Sequence, residues 1–126
     1  MKKIKNLNRG QVRSLLKRQN GRCALTGIKI SPADVSVDHI IPISRRDLEN
    51  QKGYGKCWLV HTSVNRMKGN QTLEEFYDII SKVINFKQEA IKLQKELYET
   101  DLPEMNKDEF NKYLKEFYDE KGVIRD

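Results

Sequence analysis

The run Val35-Ser36-Val37-Asp38-His39-Ile40-Ile41, closed by Pro42, limits the fold of this chain more than any other segment. It is rich in β-branched residues and partly alternates apolar with polar, the pattern of a strand with one face turned inward. Pro42 offers no N–H to a ladder, so the run cannot continue far as an internal strand. Residues 44–56, SRRDLENQKGYGK, are polar, hold two glycines and show no period, which reads as a long surface loop of the kind that is often functional. Cys57-Trp58-Leu59-Val60 then restores an apolar run, and His61 to Lys68 reads as a short helix closed by Gly69. Strand, strand and short helix make a ββα unit, and the expected fold class is α+β.

Helices flank that unit. Val12, Leu15 and Leu16 recur at helical spacing between Asn8 and Gln19, amid Arg9, Arg13, Lys17 and Arg18, and Asn20-Gly21 supplies a stop. Cys23 to Leu25 and Ile28 to Ile30 read as short extended segments around a Thr26-Gly27 turn, and Ser31 to Asp34 as a second turn. Thr72 with Glu75 is a capping box ahead of a stripe of Leu73, Phe76, Tyr77, Ile80, Val83 and Ile84. Unbroken from Leu73 to Tyr98, that helix would be about 39 Å long at roughly 1.5 Å per residue, so a bend near Asn85-Phe86 or packing against another chain is expected. Asn106 with Glu109 caps a last helix whose stripe is Phe110, Tyr113, Leu114, Phe117 and Tyr118, ended by Gly122. Residues 1–70 are expected to form the core with its N-terminal helix, and 71–126 a helical extension packed on or beside it in a single domain.

Charge separates the same two parts. Residues 1–70 carry 15 Lys and Arg against 4 Asp and Glu, a balance of 15 − 4 = +11; residues 71–126 carry 9 against 14, or 9 − 14 = −5. A positive field suits a polyanionic substrate such as nucleic acid, because basic groups that neutralise phosphates release counterions. With 37% hydrophobic and 33% charged residues the chain has the composition of a folded globular protein. It has no apolar run near the roughly 18 to 20 residues of a membrane span, and its lysine-rich start lacks a signal peptide's apolar segment. No membrane association and a cytoplasmic, intracellular location are expected. Two cysteines make no disulfide framework, so Cys23 and Cys57 are expected to stay thiols or bind metal.

The basic part also holds the residues best suited to chemistry. Asp38 and His39 are adjacent at the end of the apolar run, and Asn65 follows about 25 residues later. Phosphodiester hydrolysis needs a base for water and a counter-charge for the phosphate. Imidazole is the side chain that exchanges protons near neutral pH, so His39 is the candidate general base. The Asp38 carboxylate and the Asn65 carboxamide are hard oxygen donors suited to Mg²⁺ or Mn²⁺. Strand neighbours alternate faces, so Asp38 and His39 can serve one site only if the chain bends there. Alone, the pair reads more readily as a strand end beside a half-buried histidine.

The surrounding residues decide between these readings. Arg22-Cys23-Ala24-Leu25-Thr26-Gly27, Val37-Asp38-His39-Ile40-Ile41-Pro42-Ile43-Ser44 and Val64-Asn65-Arg66-Met67-Lys68-Gly69 stand in the order found in HNH endonucleases, and roughly residues 9 to 84 resemble that family. The resemblance implies a ββα-metal finger, His39 as general base, Asp38 and Asn65 on the metal, and nicking or cutting of DNA, with double-strand cleavage by a dimer or with a partner. Arg45, Arg46, Lys52, Arg66 and Lys68 are the phosphate-contact candidates. A non-catalytic DNA-binding module and a partner-docking adaptor are the alternatives. The setting, whether phage packaging, restriction or homing, stays open.

The chain departs from the family pattern in three places. Many members brace the finger with zinc on two Cys-x-x-Cys pairs; here the matching positions are Cys23 with Thr26 and His61 with Val64, and threonine and valine are not zinc ligands. A structural zinc is not expected, with Cys23, Cys57 and His61 as the weak remaining candidates and Trp58 and Leu59 packing in its place. The asparagine expected nine residues before Asn65, which helps orient the base, is Lys56, a change that weakens the site or adds a phosphate contact. The last position of the motif is Asn65 where others have histidine. The acidic C-terminal helices lie beyond the resemblance, and their apolar stripes could cover the finger, form a homodimer or dock a partner.

Overall fold

The computed structural model describes residues 7–125; the lysine-rich start and Asp126 lie outside the described residues. The first helix, α1, spans Arg9–Arg18. Asn8 begins it through a reciprocal box, the Gln11 N–H donating to the Asn8 side chain and the Asn8 N–H to the Gln11 side chain, each at 2.9 Å. It ends where the sequence signals, at Asn20 and Gly21, both left-handed with φ of 53° and 66°.

Two antiparallel strands carry the centre: β1, Val35–His39, and β2, Cys57–His61. Their register runs one for one from Val35 opposite His61 to His39 opposite Cys57, with no bulge. β1 is two residues shorter than the apolar run. Ile40 still donates to the Lys56 carbonyl at 3.0 Å, after which the Pro42 carbonyl accepts from Arg45 in a turn and pairing stops. β2 leads directly into α2, Thr62–Lys68, where the His61 ring accepts from the Ser63 N–H; α2 closes at Gly69, φ 56°.

A two-stranded sheet is marginal alone. Leu59 and Val60 are neighbours, so they point to opposite faces, yet both are buried, and the sheet is therefore covered on both sides. With Cys23 and Phe76 they form the apolar centre, each large side chain worth about 1.5–3 kcal/mol of transfer energy. The outer edge of β2 is also occupied: the Gln19 carboxamide donates to the Leu59 carbonyl at 2.8 Å and accepts from the Leu59 N–H at 3.0 Å. Ala24 donates to the same carbonyl, and the His61 N–H points at the Cys23 sulfur. These bonds draw residues 22–29 onto the sheet edge. Consequently the expected pair of extended segments reduces to a single bridge, Arg22 opposite Lys29, around Gly27.

The third helix, α3, spans Leu73–Asn85 and starts at the expected box, Glu75 N–H to Thr72 Oγ1 at 3.2 Å and Thr72 N–H to Glu75 Oε1 at 2.9 Å. Phe86 leaves the helical conformation and α4, Lys87–Tyr98, begins after it, so the long apolar pattern is broken where expected. Two compact units meet in sequence at this break, Met1–Asn85 and Phe86–Asp126. The second contains α4 and α5, Lys107–Phe117, capped by Asn106 accepting from Glu109 N–H. α5 ends before Gly122: Tyr118 turns extended and bridges Ile124, and Gly122, φ 78°, forms the turn between them. Among the described residues no helix is long and apolar enough to cross a membrane.

Candidate active site

β1 delivers Asp38 and His39 consecutively, opposite Trp58 and Cys57. Because the register has no bulge, Asp38 shares a face with Trp58 and Val60, and His39 lies on the other, at the last paired position before the chain bends. Asp38 is 4% exposed. Its Oδ2 accepts from the Trp58 indole at 2.7 Å and its Oδ1 from the Lys68 ammonium at 3.1 Å. His39 is half-buried, and its backbone carbonyl accepts from the same ammonium at 3.2 Å.

Lys68 is therefore the fastening between helix and strand. Expected on a phosphate, it is instead fully buried at the C-terminal end of α2, its charge matched by Asp38. A lysine is tolerated inside only when its ammonium is paired and hydrogen-bonded, and here it has a carboxylate and a carbonyl. Asn65 lies three residues earlier, one turn back on the same helix face, half-buried. The face of α2 that carries Asn65 is thus tied to the end of β1 that carries Asp38 and His39. The i, i+3 spacing of Asn65 and Lys68 puts both on one helix face, but nothing in the residues names Asp38 as the partner of Lys68.

The other candidates separate. Lys56 is exposed just before β2 and lines a cavity of about 410 Å³ with Arg18 of α1 and Cys57. Arg45 is engaged at 2.7 Å by Glu75 and at 3.3 Å by Asp47, contacts that raise its guanidinium pKa further. The Glu75 carboxyl is held below its ordinary value, first by the Thr72 N–H and then by Arg45. Arg46, Lys52 and Arg66 are exposed. Trp58, expected in the core, is half-buried with its indole nitrogen committed to Asp38.

The zinc candidates stand at the two ends of β2. Cys23 is buried beside His61, its sulfur accepting from the His61 and Leu25 N–H groups at 3.3 and 3.4 Å. Burial pushes that thiol up, but the Thr26 side chain and these N–H groups outweigh it and leave the pKa lowered. The His61 ring faces Ser63, 2.7 Å from its Oγ, with Asp34 at 3.9 Å. Cys57 is four residues away on the strand, its thiol raised by burial and by the Asp38 charge. Among the described residues no three Cys, His, Asp or Glu side chains gather to hold a metal ion.

No curated protein matches the chain. The region around Asp38 is nevertheless recognisable: residues 23–73, from buried Cys23 through both strands and all of α2 to the first residue of α3, match the HNH endonuclease family.

Proposed function

We propose that the chain is a metal-dependent endonuclease that hydrolyses phosphodiester bonds in DNA. The observation that carries this reading is the Lys68 ammonium, bonded to Asp38 and to the His39 carbonyl from the helix that also holds Asn65. It ties the Asp38 carboxylate and the His39 backbone, not the His39 imidazole, to the helix that carries Asn65. The donors suit a divalent cation. A carboxylate offers about four lone-pair positions, of which the Trp58 and Lys68 bonds take two, and the Asn65 carboxamide adds a neutral oxygen. When bound, Mg²⁺ or Mn²⁺ would supply Lewis-acid stabilisation of the phosphate.

The chain's own residues do the rest. His39 accepts a proton from the attacking water as its oxygen bonds to phosphorus, and the opposite P–O bond breaks to leave a phosphate monoester and an alkoxide that takes its proton from solvent water. Trp58 and Lys68 hold the Asp38 carboxylate in one orientation. Arg45, Arg46, Lys52 and Arg66 are the phosphate contacts, and Arg45 would have to release Glu75 to serve. Lys56 offers a charge where related sites offer a carboxamide. One such centre cuts one strand, and cutting both requires a second copy or a partner, for which the exposed stripes of α4 and α5 provide surface.

One observation favours a second reading, a DNA-binding module without activity: both Asp38 oxygens already have donors. Supercoiled plasmid with Mg²⁺ or Mn²⁺ distinguishes the two. Relaxed product that disappears in His39→Ala supports the nuclease. Intact plasmid, retarded in a salt-dependent way, supports the module.

A further inference from the structure

We infer that Lys68 is the built-in counter-ion of Asp38, and that a divalent cation must compete with its ammonium for that carboxylate. The inference rests on the reading of Asp38 as a metal ligand. Lys68 has no exposed side-chain surface, and its ammonium uses two of three donors on Asp38 Oδ1 and the His39 carbonyl. Without a cation, an Asp38 carboxylate that is 4% exposed needs a positive neighbour, and Lys68 supplies it. The site is thereby assembled before any metal arrives.

The same ammonium has a cost for metal binding. A divalent ion coordinated to Asp38 would stand close to a like charge where little water screens the repulsion. Lys68 therefore holds metal affinity down. Lys68 acts as a positioning residue and as an electrostatic brake. A purely structural lysine would lower metal affinity when removed, or leave it unchanged; a brake raises it.

The test is Mn²⁺ binding to the full chain, read by electron paramagnetic resonance of the free ion. Lys68→Gln keeps a donor near Asp38 but removes the charge, and should bind Mn²⁺ about tenfold more tightly than the unaltered protein. Lys68→Arg, which keeps the charge, should stay near the unaltered value, and Asp38→Asn added to Lys68→Gln should abolish the gain. If Lys68→Gln is unfolded without metal, millimolar Mn²⁺ should restore its circular dichroism, because the ion replaces the missing charge and stabilises the folded state. Binding to Lys68→Gln that is no tighter than to the unaltered chain, or no recovery of an unfolded variant, overturns the inference while leaving the nuclease reading in place. Absence of Mn²⁺ binding in every variant removes both.

Discussion

The two units differ in what they bury, and among the described residues only the first buries any side chain. Through Asn85 the chain buries charge: Asp38 and Lys68 lie inside with Leu59 and Val60. From Phe86 on it exposes apolar groups, among them Leu93, Leu97, Phe110 and Phe117, the last at 59%. Burying an ion pair in place of apolar side chains rarely gains stability, so a pair retained inside a small core points to a function that needs charge there. Apolar residues left outside at helical spacing describe only a surface. The ββα region therefore offers a site to test for chemistry, whereas α4 and α5 do not.

The sharpest way to break this contrast is to strip one partner from the buried pair. Asp38→Ala would leave the Lys68 ammonium inside without its carboxylate and should cost about 3–5 kcal/mol. Trp58 is the single tryptophan and bonds directly to Asp38, so its fluorescence in a urea titration follows this region. A loss below about 1 kcal/mol would mean that the pair is not held inside in solution.

Next in size is the apolar centre against the exposed stripe. Leu59→Ala should cost about 2–5 kcal/mol. Leu97→Ala, on an exposed position of α4, should fall within about 0.5 kcal/mol of the unaltered chain. The two melting curves, recorded side by side by circular dichroism, test the contrast, and comparable losses would show that the stripe of α4 is covered in solution.

What could be read from the residues follows the range over which the determining contacts act. The Thr72 and Glu75 box, the stop at Asn20-Gly21, the break at Asn85-Phe86 and the strand, strand, helix order depend on near neighbours, and the sequence predicts all of them. So do the adjacency of Asp38 and His39 at a strand end and the placement of Asn65 on the following helix. The Lys68 bond to Asp38 spans 30 residues and that of Gln19 to Leu59 spans 40; the i, i+3 spacing with Asn65 sets the helix face of Lys68, but no local pattern names either partner. Lys68 shows the consequence. A lysine beside a candidate ligand reads as a surface phosphate contact until its burial is known. The end of α5 differs from the expected stop at Gly122 for a similar reason: Tyr118 leaves the helix to bridge Ile124, so Gly122 serves a turn.

The sheet edge gives the next smaller effect. Gln19→Ala removes both side-chain bonds to the Leu59 backbone, leaving its N–H without that acceptor at the outer edge of β2. The expected loss is about 1–3 kcal/mol, and hydrogen exchange should accelerate at the Leu59 amide before it does at Val60, whose backbone faces β1.

The smallest effect is a dependence on pH at the start of α3. Glu75 is held below its ordinary carboxyl value by the Thr72 N–H and by Arg45, so the folded chain favours its charged form. A carboxyl depressed by folding contributes stability above its unfolded pKa, roughly 4.3, and loses that contribution as pH falls through the lower folded value. The melting temperature of Glu75→Gln should therefore lie below that of the unaltered chain by a constant margin above about pH 5, and the two should converge as the solution is acidified below about pH 4. Raising the salt concentration should narrow the margin as well, because the Arg45 contact is solvent-facing and screened. A margin that persisted into acid would assign the effect of Glu75 to its shape in the capping box and not to its charge.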